Sequence, residues 1–160
     1  RLIIPFYDIN NKVFAFQGRA FGKEQPKYLT VKLDENKQKV YGLDTVNLQE
    51  PLHIVEGPID SMFLKNCLAA AGADLTLKVE PSNVTYIFDN EPRNKEIIQR
   101  MEKIIDLGYN IFIWPNEIQL KDVNDLIMTG VSKIQLDEII SINTYSNLSA
   151  KQALVQYKKI

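Results

Sequence analysis

Apolar positions divide the chain into two stretches with different periods. Over the first forty or so residues the period is close to two. Residues 2–8 and 12–20 flank Ile9-Asn10-Asn11, and an Asn-Asn pair tolerates the positive φ that a tight hairpin needs. Residues 28–33 alternate and stop at Asp34-Glu35-Asn36, a polar turn ahead of Lys39-Val40-Tyr41. Together these segments predict a small antiparallel sheet. Gly42-Leu43-Asp44 then opens a polar connector to about Pro51, the natural boundary between two units.

From residue 52 strands alternate with helices. Residues 52–55 form the short apolar run of a buried parallel strand, followed by Glu56-Gly57-Pro58, where Pro58 suits the first turn of a helix through about Lys65. Residues 86–88 predict a second buried strand, closed by Asp89-Asn90-Glu91-Pro92. Ile97, Ile98, Met101, Ile104 and Ile105 then recur at helical spacing, with Gly108 at the C-cap position. Residues 111–114 predict a third strand, stopped by Pro115. Two further helices are expected, over 122–128 ending at Gly130 and from about 149 to 159. This order implies an α/β fold with a parallel sheet and right-handed crossovers. The expected division is a β-rich unit at 1–50, an α/β unit at 51–130 and a C-terminal helical segment at 131–160.

Composition narrows the class. With 160 residues, 45% apolar, 24% charged and a net charge of −1, the chain reads as a soluble globular domain and not a disordered tail or a fibre. No apolar run approaches the roughly 18 residues of a membrane span, and no leader precedes a cleavage site, so a cytoplasmic location and no membrane partner are expected. A lone cysteine, Cys67, makes no internal disulfide, and a lone histidine, His53, leaves no zinc ligand set. Any metal must sit on oxygens. The first residue, Arg1, suggests a piece excised from a longer protein.

The near-neutral total hides an asymmetry. Residues 1–43 carry eight Lys/Arg against four acids, a charge of +4, and residues 44–160 carry eleven against sixteen, a charge of −5. Such a split fits a basic surface for a polyanion beside an acidic surface for metal or catalysis, against the alternative of chance fluctuation.

The acids fall where a parallel sheet places a site. Glu56 follows the first buried strand, Asp89 and Glu91 the second, and Asp122 lies in the loop after the third, all on the carboxyl edge. Asp60 lies one helical turn after Glu56. Clustered carboxylates repel unless a hard cation neutralises them, and Mg²⁺ prefers oxygen ligands. Simpler roles remain open: Asp89 as the N-cap of the long helix, Glu91 as a complement to that helix's positive end, and Asp122 as a cap with Asn124 and Asp125 in its first turn. Glu56 is poorly placed for capping. His53, Cys67, Trp114, Met62 and Phe63 read as strand or core residues.

The motifs resemble a known family. Leu52-His53-Ile54-Val55-Glu56-Gly57-Pro58-Ile59-Asp60 resembles the first motif of the Toprim fold, Tyr86-Ile87-Phe88-Asp89-Asn90-Glu91 its Asp-x-Asp motif, and Lys121-Asp122-Val123-Asn124-Asp125 the Lys-Asp stretch after the next strand. The leading segments Ile4-Pro5-Phe6-Tyr7-Asp8, Gly18-Arg19-Ala20, Pro26-Lys27-Tyr28-Leu29 and Tyr41-Gly42-Leu43 occur in the order of the DnaG-type primase core, whose basic lobe precedes its Toprim lobe. The likeness covers roughly residues 3 to 130 and leans toward the primases of tailed bacteriophages. Glu91 departs from the family's aspartate, and Pro92-Arg93-Asn94 replaces its usual small residues, opening the helix.

What the resemblance implies is primer synthesis: on a single-stranded DNA template, the 3′-hydroxyl of one ribonucleotide attacks the α-phosphate of a ribonucleoside triphosphate. Catalysis would fall to Glu56, Asp89 and Glu91, and the Mg²⁺ ligands, with Mn²⁺ as substitute, to Glu56, Asp60, Asp89, Glu91 and Asp122. Arg19, Lys27, Tyr28, Lys39, Lys121 and Asn124 would bind DNA or nucleotide, and Arg93 and Lys95 either reach phosphates or sit in solvent. A replicative helicase would engage regions outside these residues. Two alternatives stand beside this reading: a Toprim nuclease or topoisomerase fragment that cleaves phosphodiesters, and a non-catalytic Mg²⁺-dependent switch of the response-receiver type.

Overall fold

A computed structural model describes residues 1–70 and 80–159. The first sheet is antiparallel, in the order β1 (Leu2–Tyr7), β2 (Val13–Arg19) and β3 (Tyr28–Lys32). Its first turn forms as the sequence predicts. Asn11 takes φ 59°, and the Asp8 carboxylate accepts from the backbone N–H groups of Asn10 and Lys12. Ile4, Phe6, Phe14 and Ala15 make a small core beneath it.

Lys39-Val40-Tyr41 does not add a strand to this sheet. Tyr41 instead bridges Ala69 in the second sheet, and Val40 packs with Leu52, Ile54 and Leu68. The connector can run that close because Gly42 has φ +94° and a Cβ there would lie 2.9 Å from the Cys67 carbonyl oxygen.

The second sheet contains β4 (Leu52–Val55), β5 (Cys67–Ala69), β6 (Val84–Ile87), β7 (Asn110–Phe112) and β8 (Thr144–Tyr145), in the order β5-β4-β6-β7-β8. All pairs are parallel except β7 with β8. Strand order reverses between β4 and β6, so their carboxyl ends flank a crevice, the place where open α/β sheets bind ligands. The α/β architecture is the one expected, an antiparallel lobe followed by a mostly parallel sheet flanked by helices.

Five helices are described: α1 (Pro58–Ser61), α2 (Lys95–Asp106), α3 (Val123–Met128), α4 (Lys133–Ile142) and α5 (Asn147–Tyr157). The helix expected to run to Lys65 is a single turn. The chain is drawn away by Asn66, at φ 48°, whose side-chain amide donates to the carbonyls of Asn47 and Pro51, 2.9 Å each. α2 starts at Lys95 because Asn94 caps it by accepting from the Glu96 and Ile97 N–H groups, so Pro92, Arg93 and Asn94 precede the helix and do not open it. Gly108 and Gly130 stand just past their helices with positive φ, as expected.

Two strands had no sequence counterpart, β5 and β8, each only two or three residues long. α4 falls within the helical segment expected at 131–160, though no separate helix was placed there, and it buries only Leu136 and Ile140. Ile98, Met101, Ile111, Phe112 and Leu136 join Ala150, Leu154 and Tyr157 of α5 in one core, each large side chain contributing about 1.5–3 kcal/mol by leaving water. Among the described residues no helix is long and apolar enough to cross a membrane.

Candidate active site

The two sheets face a common cleft of about 270 Å³. Gln17, Lys27, Tyr28 and Lys39 line it from the first lobe, and Glu56, Asp60, Asp89, Lys121 and Asp122 from the carboxyl edge of the second.

Glu56 follows β4 directly, and each of its oxygens has a partner. Oε1 is 2.5 Å from the Arg100 guanidinium, and Oε2 accepts from the Asp89 N–H at 3.4 Å. Arg100 lies 5.0 Å from the Phe88 ring, so a buried aromatic face fixes the cation that fixes Glu56. Asp89 lies just beyond β6. Burial raises its carboxyl to about 7, the charge of Glu56 adds to that rise, and Lys121 opposes it with Nζ at 3.5 Å. Asp60 accepts from the Asn124 N–H at 2.9 Å, yet burial, with Asp122 adding, raises it to about 6.

The capping alternatives separate. Asp89 does not cap α2, because Asn94 does. Asp122 does cap α3, accepting from the Asp125 N–H at 2.8 Å, and also lines the cleft. Glu91 turns aside. Its Oε2 accepts from the Asn94 side chain at 2.6 Å and its Oε1 lies 3.0 Å from Lys121 Nζ, contacts that hold its carboxyl below the usual range. It faces a neighbouring hollow of about 550 Å³ lined also by Arg93, Asn94 and Lys159.

Basic residues of the first lobe converge on one ring. The Arg19 guanidinium and the Lys27 ammonium lie 5.6 and 5.7 Å from the centre of Tyr28, and burial lowers the proton affinity of Lys39. Arg93 and Lys95 are exposed, and neither lines the cleft. His53 sits in β4 with Nδ1 3.0 Å from the Lys65 carbonyl, and Cys67 and Trp114 are buried, as expected of strand and core residues. Phe63 packs against the core. Met62, expected there, is 48% exposed because α1 ends before it.

Among the described residues no three carboxylates converge closely enough to make a ready-made metal cage. The donor set nevertheless suits a hard divalent cation. It is all oxygen, and Asp60 and Asp89 hold protons unusually strongly, a condition that a nearby dication would relieve.

Four residues that line or brace this site were not singled out from the sequence. Gln17 and Arg100 are two. Asn90 and Tyr157 are the others: the Asn90 side chain donates to the carbonyls of Ile118 and Leu120, 2.9 Å each, and accepts from the Tyr157 hydroxyl at 3.2 Å. The loop carrying Asp89 and Glu91 is thereby tied to the loop carrying Lys121 and to α5. These partners are 28 to 67 residues apart, so no local periodicity reports them. The one available hint was an amide between two acids.

No protein-family model matches the chain. The whole chain is 39% identical over 165 residues to a DNA primase of Enterobacteria phage T4, of which it spans 48%. Its fold matches the RNA polymerase domain of the Mycobacterium tuberculosis primase DnaG at a TM-score of 0.70, with 16% identity over 98% of this chain and 58% of that one. It also matches a DnaG primase catalytic domain bound to single-stranded DNA at a TM-score of 0.58, with 18% identity over 88% of this chain and 52% of that one. The chain thus spans about half the length of the relative it matches over its entire length.

Proposed function

We propose, because the chain belongs to the DnaG-type DNA primase family, that it is the catalytic core of a DNA primase, joining ribonucleotides into short primers on single-stranded DNA. One observation carries the reading: the cations of the first lobe and the carboxylates of the second line a single cleft. A joining enzyme must hold a polyanionic template, a triphosphate and a metal at one place, and this cleft has the groups for all three.

Glu56 and Asp89 are the principal metal ligands, with Asp60 and Asp122 completing the set and Glu91 holding Lys121 beside it. When bound, Mg²⁺, or Mn²⁺ in its place, neutralises the triphosphate and lowers the pKa of the attacking 3′-hydroxyl. The remaining work falls to side chains. Arg100 holds Glu56 turned to Asp89, Asn124 fixes Asp60 through its N–H, and Lys121 keeps Asp89 and Glu91 from repelling each other. Arg19, Lys27 and Lys39 hold phosphates of template or nucleotide, and Tyr28 offers a face for a base. Arg93 and Lys95 extend that contact outside the cleft. In this division residues 1–50 hold nucleic acid, residues 51–130 hold metal, and residues 131–160 brace the acidic loop.

A primase solved with single-stranded DNA has this fold, which supports that template class here. The T4 relative supports a phage origin and hence work in an infected bacterial cytoplasm; a replicative helicase is the partner that the family resemblance implies, through regions outside these residues. The receiver alternative loses ground because it leaves the basic lobe without a purpose at the cleft, and the nuclease alternative because the relative and the solved structures that the chain matches are primases.

The deciding assay supplies single-stranded template, labelled ribonucleotides and Mg²⁺ or Mn²⁺ to the chain and to Glu56→Gln and Asp89→Asn. Short ribonucleotide products, lost in both variants, are expected. Template degradation would instead point to a nuclease, and no nucleotide chemistry in either metal to the receiver.

A further inference from the structure

Gln17 lies within β2, lines the cleft and is 3% exposed. Its Nε2 donates to Thr30 Oγ1 at 3.2 Å, whereas its Oε1 has no hydrogen-bond partner. Among the described residues it is the single buried side-chain polar atom left in that condition. A buried acceptor with no donor is destabilising, and an apolar side chain of the same length would remove the defect. The sheet accounts for only half of the amide: Thr30, its register partner on β3, takes the Nε2 hydrogen, while Ile4, its register partner on β1, and Ala15, two residues earlier on β2, are apolar and offer Oε1 no side-chain donor.

An orphan acceptor at the wall of a ligand cleft awaits a donor from the ligand. The chemistry of a templated nucleotide leaves few choices. Phosphate oxygens are acceptors at neutral pH and offer Oε1 nothing. Base edges change with every template position, so a fixed acceptor cannot depend on one of them. The donors common to all four ribonucleotides are the ribose hydroxyls. The terminal amide torsion is broad, so the group can swing to meet one.

We infer that Gln17 Oε1 accepts a hydrogen bond from a ribose hydroxyl of the nucleotide in the cleft, making Gln17 a residue that reads the sugar: a 2′ contact favours ribonucleotides over 2′-deoxyribonucleotides, and a 3′ contact favours nucleotides that can be extended over 3′-deoxy ones. The inference rests on the primase reading above. The 2′- and 3′-hydroxyls share this chemistry, and the test distinguishes them.

The test measures equilibrium binding of ATP, 2′-deoxyATP and 3′-deoxyATP, with Mg²⁺, to the chain and to Gln17→Met, alongside thermal unfolding of both without nucleotide. The wild-type chain is expected to prefer ATP over one deoxy analogue by about tenfold, the analogue identifying the hydroxyl. Gln17→Met should lose that preference, bind the analogue unchanged and unfold at the same or a higher temperature. Gln17→Leu serves as a second apolar replacement should methionine disturb packing. The inference is overturned if both analogues bind the wild type as well as ATP does, or if the variants keep the preference. It is also overturned if Gln17→Met weakens all three ligands equally and lowers thermal stability, the mark of a purely structural amide. Failure of all three nucleotides to bind the wild type would overturn the primase reading itself, and this inference with it.

Discussion

The two lobes handle charge differently. On the second lobe every cleft carboxylate has a fixed partner: Arg100 for Glu56, Lys121 for Asp89, the Asn124 N–H for Asp60 and the Asp125 N–H for Asp122. On the first lobe, among the described residues, Arg19, Lys27 and Lys39 make no ion pair, while Lys32 and Lys37 of the same lobe pair with Glu35 and Asp8. The lesson is one of ligand type. A compact cation needs its ligands held in advance, whereas a long, mobile polyanion is served by cations free to follow it.

The contrast is breakable. Its largest expected effect is on synthesis: Glu56→Gln should lower primer formation by about a thousandfold or more, the scale of losing an electrostatic catalytic group, while template binding, read by fluorescence anisotropy, stays within about twofold. Equal losses in both would mean that the lobes do not divide the work. Reversing Lys27 to Glu should do the opposite, weakening template affinity roughly tenfold at low salt and flattening its dependence on salt, because a phosphate contact is removed. A salt slope unchanged from wild type would place Lys27 off the template path.

A smaller effect is expected at Arg100. Arg100→Met frees Glu56 from its partner and increases its repulsion of Asp89, so the acid side of the pH–rate profile should move upward, with partial recovery in Arg100→Lys. A fall in rate with an unmoved profile would mark Arg100 as a packing residue alone.

The smallest effect is on stability without metal. The folded carboxyls of Asp89 and Asp60 stand at about 7 and about 6, above the ordinary 3.8. A raised carboxyl pKa means that the folded state binds more protons, so stability declines as pH rises from about 4 to about 7. Asp89→Asn should therefore unfold about 2–4 °C higher than wild type at pH 8 in chelator, and the gap should shrink at pH 4 or on adding Mg²⁺. A gap constant with pH would refute the electrostatic origin.

Much of this arrangement was legible in the chain because it is local. The Asn10-Asn11 turn, the apolar run ending at Glu56 and the isoleucine spacing of α2 are each decided within a few residues, and so are the strand ends that deliver Glu56, Asp89 and Asp122. What escaped is tertiary. Nothing near residue 40 says that Val40 and Tyr41 will leave the first sheet for the second, because the determinant is space at Gly42 against the Cys67 carbonyl. The Arg100 partnership spans 44 positions along the chain, and its face of α2 is no more polar than an ordinary solvated one. Glu91 was visible as an acid in a motif, but its rotation toward Asn94 depends on which residue caps the helix.

The bond between the Tyr157 hydroxyl and Asn90, reinforced by the Lys159 N–H donating to the Pro92 carbonyl at 2.9 Å, also sets a schedule. On the ribosome, every acid of the cleft emerges well before Tyr157 does. A nascent chain halted short of that residue would carry all its proposed metal ligands while the loop of Asp89 still lacked its clasp, so the site becomes complete only when α5 has been made.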